Sequence, residues 1–445
     1  RGDVGSWVRE AAMEALQVVC PLAAAEQARR DAASGAAAGA PSSAGVDGGA
    51  GRVWTSAIAT GVAVALVRQA HEKIDRTRRL AARTLARLLC ARAPRIHGIA
   101  CADALETIFA PFAAAPAGQE EGVAAADGDG DEDAGAAAAV GEASSAAERT
   151  AAEASSTQAA RAAADAWGDG ASTVGDTFAI TCGALALEPY AHAALEGLLI
   201  SAGGLTESTM RGAGAALTSY LKTLPPAGLH RFLGVLLEVM APRAEEDRVM
   251  VPALRALELV CGSGALHPVK VDGGAGAPEP GAPDPGAAGE PEAACPADAV
   301  GLLVRSQAKG VKEPRRLLAT AGAQVAVLPY CSLAVRRSLL RSCVVALAHR
   351  YPRIRAATAD ALYVHALASE ADLPPGQEDA VAAILTATQW DGADADVRAA
   401  RDELLRLYAF DAPIVRKAAT GGGGAKAQGD AVFGTYTDLV RDMGY

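Results

Sequence analysis

Aromatic residues are scarce in this chain. They make up 4% of its 445 residues while apolar residues reach 51%, so a core has to be built from alanine, leucine and valine. Alanine and leucine combine high helix propensity with side chains that let helices approach closely, which favours helices. Alternating β-branched runs of strand length are few. No apolar run approaches the ~18 residues of a membrane span, so no spanning helix is expected. The eight cysteines form no C-x-x-C pair and the seven histidines no H-E-x-x-H, which argues against a disulfide framework and against a bound metal.

Nucleotide-binding signatures are missing as well. GGGGAK, ending at Lys426, has Ala425 before the lysine and Ala427 after it, where a phosphate loop needs a glycine and a hydroxyl. The string around Gly212 and Gly214 lacks a third glycine. The chain is therefore expected to be no enzyme and to hold no cofactor. Its net charge is −11, but residues 113–165 hold eleven Asp and Glu against Arg149 and Arg161, a net of −9 that leaves −2 for the rest. A nearly neutral remainder with few aromatic platforms argues against a nucleic-acid partner. The cluster Lys73, Arg76, Arg78 and Arg79 reads as a solvated helix face.

What the chain has is a repeated helical pattern. In HRYPRIRAATADALYVHAL, His349 to Leu367, Pro352 ends one helix near Tyr351, and Ile354, Ala357, Ala361, Leu362, His365 and Ala366 fall on one face of the next. The grammar recurs in VREAAMEAL from Val8, TRRLAARTL from Thr77, VRAARDELL from Val397 and, more loosely, from Met210 and Val335. Each copy pairs an anchor, apolar in all but Thr77, with an arginine near the helix start. Helix pairs repeating in this way cannot bury their own apolar faces and stack on one another. The irregular spacing suits HEAT or armadillo-like repeats of roughly 40–47 residues. The expected fold is an all-α solenoid, with Arg9, Arg355 and Arg398 forming a structural ladder in which Arg355 reaches Asp360 or Asp402.

Composition divides the chain into repeats at 1–112, with a flexible insertion at 35–51; an acidic, Ala/Gly-rich disordered insertion at 113–165; repeats at 166–268; a Pro/Gly-rich linker at 269–297; repeats at 298–412; and a flexible tail at 413–445. The opening residue is Arg1 and the first helical pattern starts abruptly, so a piece of a longer array is expected.

Several strings carry a resemblance. DVGSWVREAAM, HEKIDRTRRLAA, ISAGGLTESTMRGAGAALTSYL, DRVMVPALRALELV and the stretch from His349 through ATQWDGADADVRAARDELLRL resemble, in order, the C-terminal part of the tubulin-folding cofactor D family. EKIDR and GGLTES are specific strings, beyond repeat grammar. The acidic insertion and the glycine-rich tail are outside the pattern. The resemblance implies a cytoplasmic protein, associated with the microtubule cytoskeleton, that captures β-tubulin. With cofactors E and C and an Arf-like small GTPase it would assemble or dissociate the αβ-tubulin heterodimer and promote GTP hydrolysis by tubulin. The alternative is a generic HEAT scaffold for another complex.

The candidate partner-binding residues are Glu72, Lys73, Asp75 and Arg76 together with Leu205, Thr206 and Glu207. Local physics explains much of the second string. Gly203 and Gly204 end one helix, Thr206 is placed to cap the next, and Glu207 lies in its first turn, where the dipole favours an anion.

Overall fold

A computed structural model of the chain describes residues 4–33, 52–91, 95–113, 174–269, 295–368, 372 and 376–410. Among these residues there are fifteen α-helices, short 3-10 turns and no strand. The expected all-α solenoid of stacked helices is the observed class. The expected segments at 35–51, 113–165, 269–297 and 413–445 lie outside the described residues, apart from Ala113, Val269 and Cys295 to Ala297.

The chain forms two compact units, residues 1–223 and 224–445. In the first, α1 (Val4–Ala33), α3 (Asp75–Cys90), α5 (Val174–Thr181) and α7 (Glu207–Lys222) pack successively as one layer. Helices α2 (Ser56–Gln69) and α6 (Glu188–Ala202) pack on each other as the second layer, and α4 (Ala102–Phe109) lies against α3 and α5. Short turns join α2 to α3 and α6 to α7 as helix hairpins. The core between the layers is aliphatic, with Leu66, Val67, Leu85, Leu195, Leu198 and Leu217 buried. Tyr190, buried with them, is satisfied by the Ala100 carbonyl at 2.7 Å.

The second unit contains α8 (Pro226–Met240), α9 (Asp247–Gly262), α10 (Pro296–Ser306), α11 (Pro314–Val327), α12 (Leu333–Ala346), α13 (Pro352–Ala368), α14 (Glu378–Ala387) and α15 (Asp394–Leu407). Helices α9, α11 and α13 stack as one layer, with α14 on α13, while α8, α10, α12 and α15 stack as the other. Proline opens α8, α10, α11 and α13, where its missing N–H costs nothing and its fixed φ suits the first turn. Pro296 and Ala297, read in the sequence as linker, thus begin α10.

The repeated anchors Thr77, Val335, Ile354 and Val397 are all buried. Met210 is half-buried, and Val8 faces solvent. Ala357 also differs from expectation. It is exposed, and its place on the buried face of α13 is taken by Arg355 and Thr358, because the arginine is drawn inward by an ion pair.

Of the expected ladder, Arg355 pairs across repeats and Arg9 lies 3.9 Å from Glu72, Arg398 stays on its own helix, and Arg316 and Arg336 are further members. Arg355 donates to Asp394 at 2.9 Å and to the Gly392 carbonyl at 3.4 Å, and not to Asp360 or Asp402, because the turn that leads into α15, with Asp394 at the helix start, is what stands at its guanidinium. Arg316 donates to Asp247 at 2.7 Å, Arg336 to Asp372 at 3.0 Å and to the Cys331 carbonyl at 3.0 Å. Arg398 is exposed and, among the described residues, meets Asp394 of its own helix at 3.5 Å. In each buried case the guanidinium lies in the first turns of a helix, where carboxylates and turn carbonyls accept from its terminal nitrogens.

Candidate interaction edge

Two turns meet at one edge of the first unit. His71 to Ile74 joins α2 to α3, and Gly203 to Thr206 joins α6 to α7. The Ser201 hydroxyl donates to the His71 carbonyl at 2.6 Å, and the Thr209 hydroxyl to the Lys73 carbonyl at 3.4 Å. Helix α6 approaches so closely that a Cβ on Gly197 would stand 2.7 Å from both the Arg68 carbonyl and His71 Cβ. Arg68 and the buried Glu196 clamp the same contact at 2.7 Å. The strings EKIDR and GGLTES, more than 120 residues apart by number, therefore share one surface.

The individual side chains divide into supports and exposed groups. Glu72 lies 3.9 Å from Arg9 of α1, and its backbone carbonyl accepts from Arg78 at 2.8 Å. Asp75 holds Arg78 and, at 3.0 Å, Arg79. Arg76 binds Glu10 of α1, whose other oxygen accepts from Thr77 at 2.8 Å. Burial pushes the Glu10 carboxyl up, but the bonds from Arg76 and Thr77 and the charges of Arg76 and Arg9 outweigh it, so Glu10 ionises below the usual carboxylate range. Lys73 is exposed, as are Leu205, Thr206 and Glu207. Glu207 pairs with Arg211 at 2.6 Å on the same helix.

Two expectations about these residues change. Arg78 is no solvated side chain. It is fully buried, its guanidinium 4.2 Å from the Phe178 ring centroid, because α5 closes over it. Thr206 occupies the N-cap of α7 with extended backbone, yet its hydroxyl makes no capping bond. Gly203 ends α6 at φ −95°, a conformation open to any residue, whereas a Cβ on Gly204 would crowd the Ile200 and Ser201 carbonyls at 3.2 Å.

The residue that sequence reasoning passed over is His71. Its ring is fully buried, and Nδ1 donates to the Val67 carbonyl at 2.8 Å. Burial pushes its pKa down to about 4, with the charge of Arg78 adding to the effect and the carbonyls of Val67 and Thr181 opposing it. Nothing in HEK at the sequence level distinguishes this ring from an exposed one. Its environment is assembled by α5 and α6.

Among the described residues no three His, Cys, Asp or Glu side chains are placed to hold a metal ion, and all eight cysteines are thiols. No helix of the described residues is long and apolar enough to cross a membrane. The edge presents a mixed, largely ion-paired polar surface around an exposed leucine.

Residues 60–274 match one family model, described as Tubulin folding cofactor D C terminal. This segment is a tubulin folding cofactor D C-terminal domain. Both turns of the edge fall within it, as does the string DRVMVPALRALELV, while the similar strings near Trp7 and after His349 lie outside the matched residues. The cofactor D domain gives the chain a role in tubulin folding in general. No solved structure matches the chain.

Proposed function

We propose that this chain acts as a tubulin-folding cofactor in the cytoplasm, that it binds β-tubulin, and that the paired turns at 71–76 and 203–207 are part of the contact surface. In this reading it works with cofactors E and C and an Arf-like GTPase to assemble or dissociate the αβ-tubulin heterodimer. GTP hydrolysis then takes place on tubulin and is promoted by the complex, while the chain is not itself an enzyme.

The observation that carries the surface is the hydrogen bonding of Ser201 to the His71 carbonyl and Thr209 to the Lys73 carbonyl. It joins two separate family-like strings into one exposed edge within the matched domain. Leu205, 81% exposed at its tip, offers apolar area for a partner to bury, and the flanking ion pairs supply a polar rim.

The test uses Lys73→Glu, Glu207→Lys and Leu205→Asp, all at exposed positions, with capture of purified β-tubulin and of the αβ heterodimer as the readout. Capture is expected to weaken at least tenfold with helical circular dichroism unchanged. Equal capture by all three variants removes the edge from the contact surface.

A further inference from the structure

The near-neutral charge outside residues 113–165 averages over one strongly basic stretch. Residues 305–355 hold eleven Arg and Lys against Glu313 alone, a net of +10. The fold turns some of these inward: Arg316, Arg336 and Arg355 are buried in the ion pairs described above, and Arg337 lies 4.9 Å from the Phe410 ring centroid. Arg305, Lys309, Lys312 and Arg315 gather around the turn between α10 and α11, and Arg350 and Arg353 around the turn between α12 and α13. Lys309, Lys312 and Arg350 are exposed, and the other three are half-buried. Because α12 runs back between α11 and α13, those two helices point the same way and bring their opening turns to one edge of the second unit. Arg350 donates to the Tyr351 hydroxyl at 2.8 Å and lies 4.6 Å from its ring centroid, which fixes that guanidinium in place. Burial, and then the charges of Arg350 and Arg355, hold His349 of the same turn below the usual pKa of its ring.

This basic edge has ends. Arg316 reaches Asp247 at 2.7 Å and Arg355 reaches Asp394 at 2.9 Å, which places the exposed acids Glu245, Glu246 and Asp247 on one side of it and Asp391, Asp394 and Asp396 on the other. Two neighbouring helix starts span roughly 20 Å, at ~10 Å per helix. An extended peptide covers that distance in about six residues, at ~3.3 Å each.

We infer that the edge binds a short acidic segment of a partner protein, with its carboxylates spread over about six residues. Six cations stand there with one carboxylate, Glu313, so the surface attracts anions, and the guanidinium forks match carboxylate geometry. The acids at either end limit the length of what fits. A nucleic acid carries phosphates all along its backbone and a charged membrane presents a plane, so both would press negative charge against the acidic turns. The chain's own acids between Glu120 and Asp133 share the peptide's chemistry, but they lie outside the family-like pattern to which the turn at His349 belongs, so the edge is assigned to a partner. The surface is in the second unit and does not rest on the contact proposed for the first.

The test is binding of a fluorescent hexaglutamate peptide to the whole chain, read by anisotropy. Binding is expected to weaken as salt rises past ~0.1 M, where charges are screened over ~10 Å. The double variant Lys312→Glu with Arg350→Glu should weaken it at least tenfold, with helical circular dichroism and melting temperature unchanged. Arg30→Glu, an exposed cation of the first unit, should leave it as it is. A chain in which the acids between Glu120 and Asp133 are replaced by their amides should bind the peptide as the parent does. Absence of binding, or binding indifferent to the double variant, would overturn the inference. So would tighter binding of a six-nucleotide oligothymidylate or of phosphatidylserine vesicles, and so would binding that appears only in the amide variant, since the chain's own acids would then be the occupant.

Discussion

Acid should loosen the first unit through His71. At neutral pH the ring is uncharged in both the folded and the unfolded chain. As the pH falls below 6.5 the unfolded chain takes up a proton, whereas the folded chain resists until about 4, so protons favour unfolding throughout that window. The group is fully buried, so no solvent screening reduces the effect. A difference of 2.5 units, at 1.36 kcal/mol each, gives a loss of about 3 kcal/mol once the pH has reached 4, and about 2 kcal/mol by pH 5. His71→Gln keeps an N–H donor for the Val67 carbonyl but cannot titrate. Urea unfolding followed by circular dichroism at pH 7, 6 and 5, on the parent and on this variant, isolates the contribution, because every other titrating group is common to both chains. The variant will be less stable at pH 7, since Gln does not fill the ring's place against Gly197. Its stability should nevertheless fall less steeply with acid. Parallel pH dependences in the two proteins would refute the assignment of His71 as a buried neutral ring.

Two further predictions concern packing and buried charge. Gly197→Ala should cost about 1–3 kcal/mol, because its Cβ meets the Arg68 carbonyl and His71 Cβ, which cannot yield without moving helices. Gly322→Ala should cost far less in the same urea experiment, although its Cβ would lie 2.5 Å from Glu258 Oε2, since that carboxylate ends a flexible side chain. Asp372→Asn should cost roughly 3–5 kcal/mol, because Arg336 and His365, both almost buried, lose the carboxylate they share at 3.0 and 2.9 Å. Burial pushes Asp372 up, but His365 and Arg336 outweigh it and hold its pKa below the usual range. Its contribution is therefore present above the ordinary carboxylate pKa and lost as the pH falls through the lowered value, and the variant should lack that acid-dependent component.

The sequence by itself determined the helical repeats and the family resemblance, since both rest on local information. An apolar anchor, an arginine and a second apolar position one or two turns later define a helix face whatever surrounds it, and Pro352 marks a helix boundary because proline constrains its own backbone, whereas Pro296, with the same constraint, reads as linker and its helix start comes only from the structure. EKIDR and GGLTES were legible as two strings. Only the tertiary structure decided that they share an edge, because the bonds from Ser201 and Thr209 depend on α6 and α7 stacking beside α2 and α3. It decided, too, which arginine goes inside. Arg76 and Arg78 are two residues apart with equally long side chains, and the packing of α5, with Phe178, buries one while α1, with Glu10, meets the other at the surface. For α1 the periodicity of VREAAMEAL places Val8 and Met13 on different sides of the helix without saying which side faces in. The inward side carries Ser6, Glu10 and Gln27 beside Met13, Cys20 and Ala24, so hydrophobic burial alone could not choose it, and the bonds of Glu10 to Arg76 and Thr77 and of Gln27 to the Val53 N–H belong to the packing that left Val8 and Trp7 to the solvent.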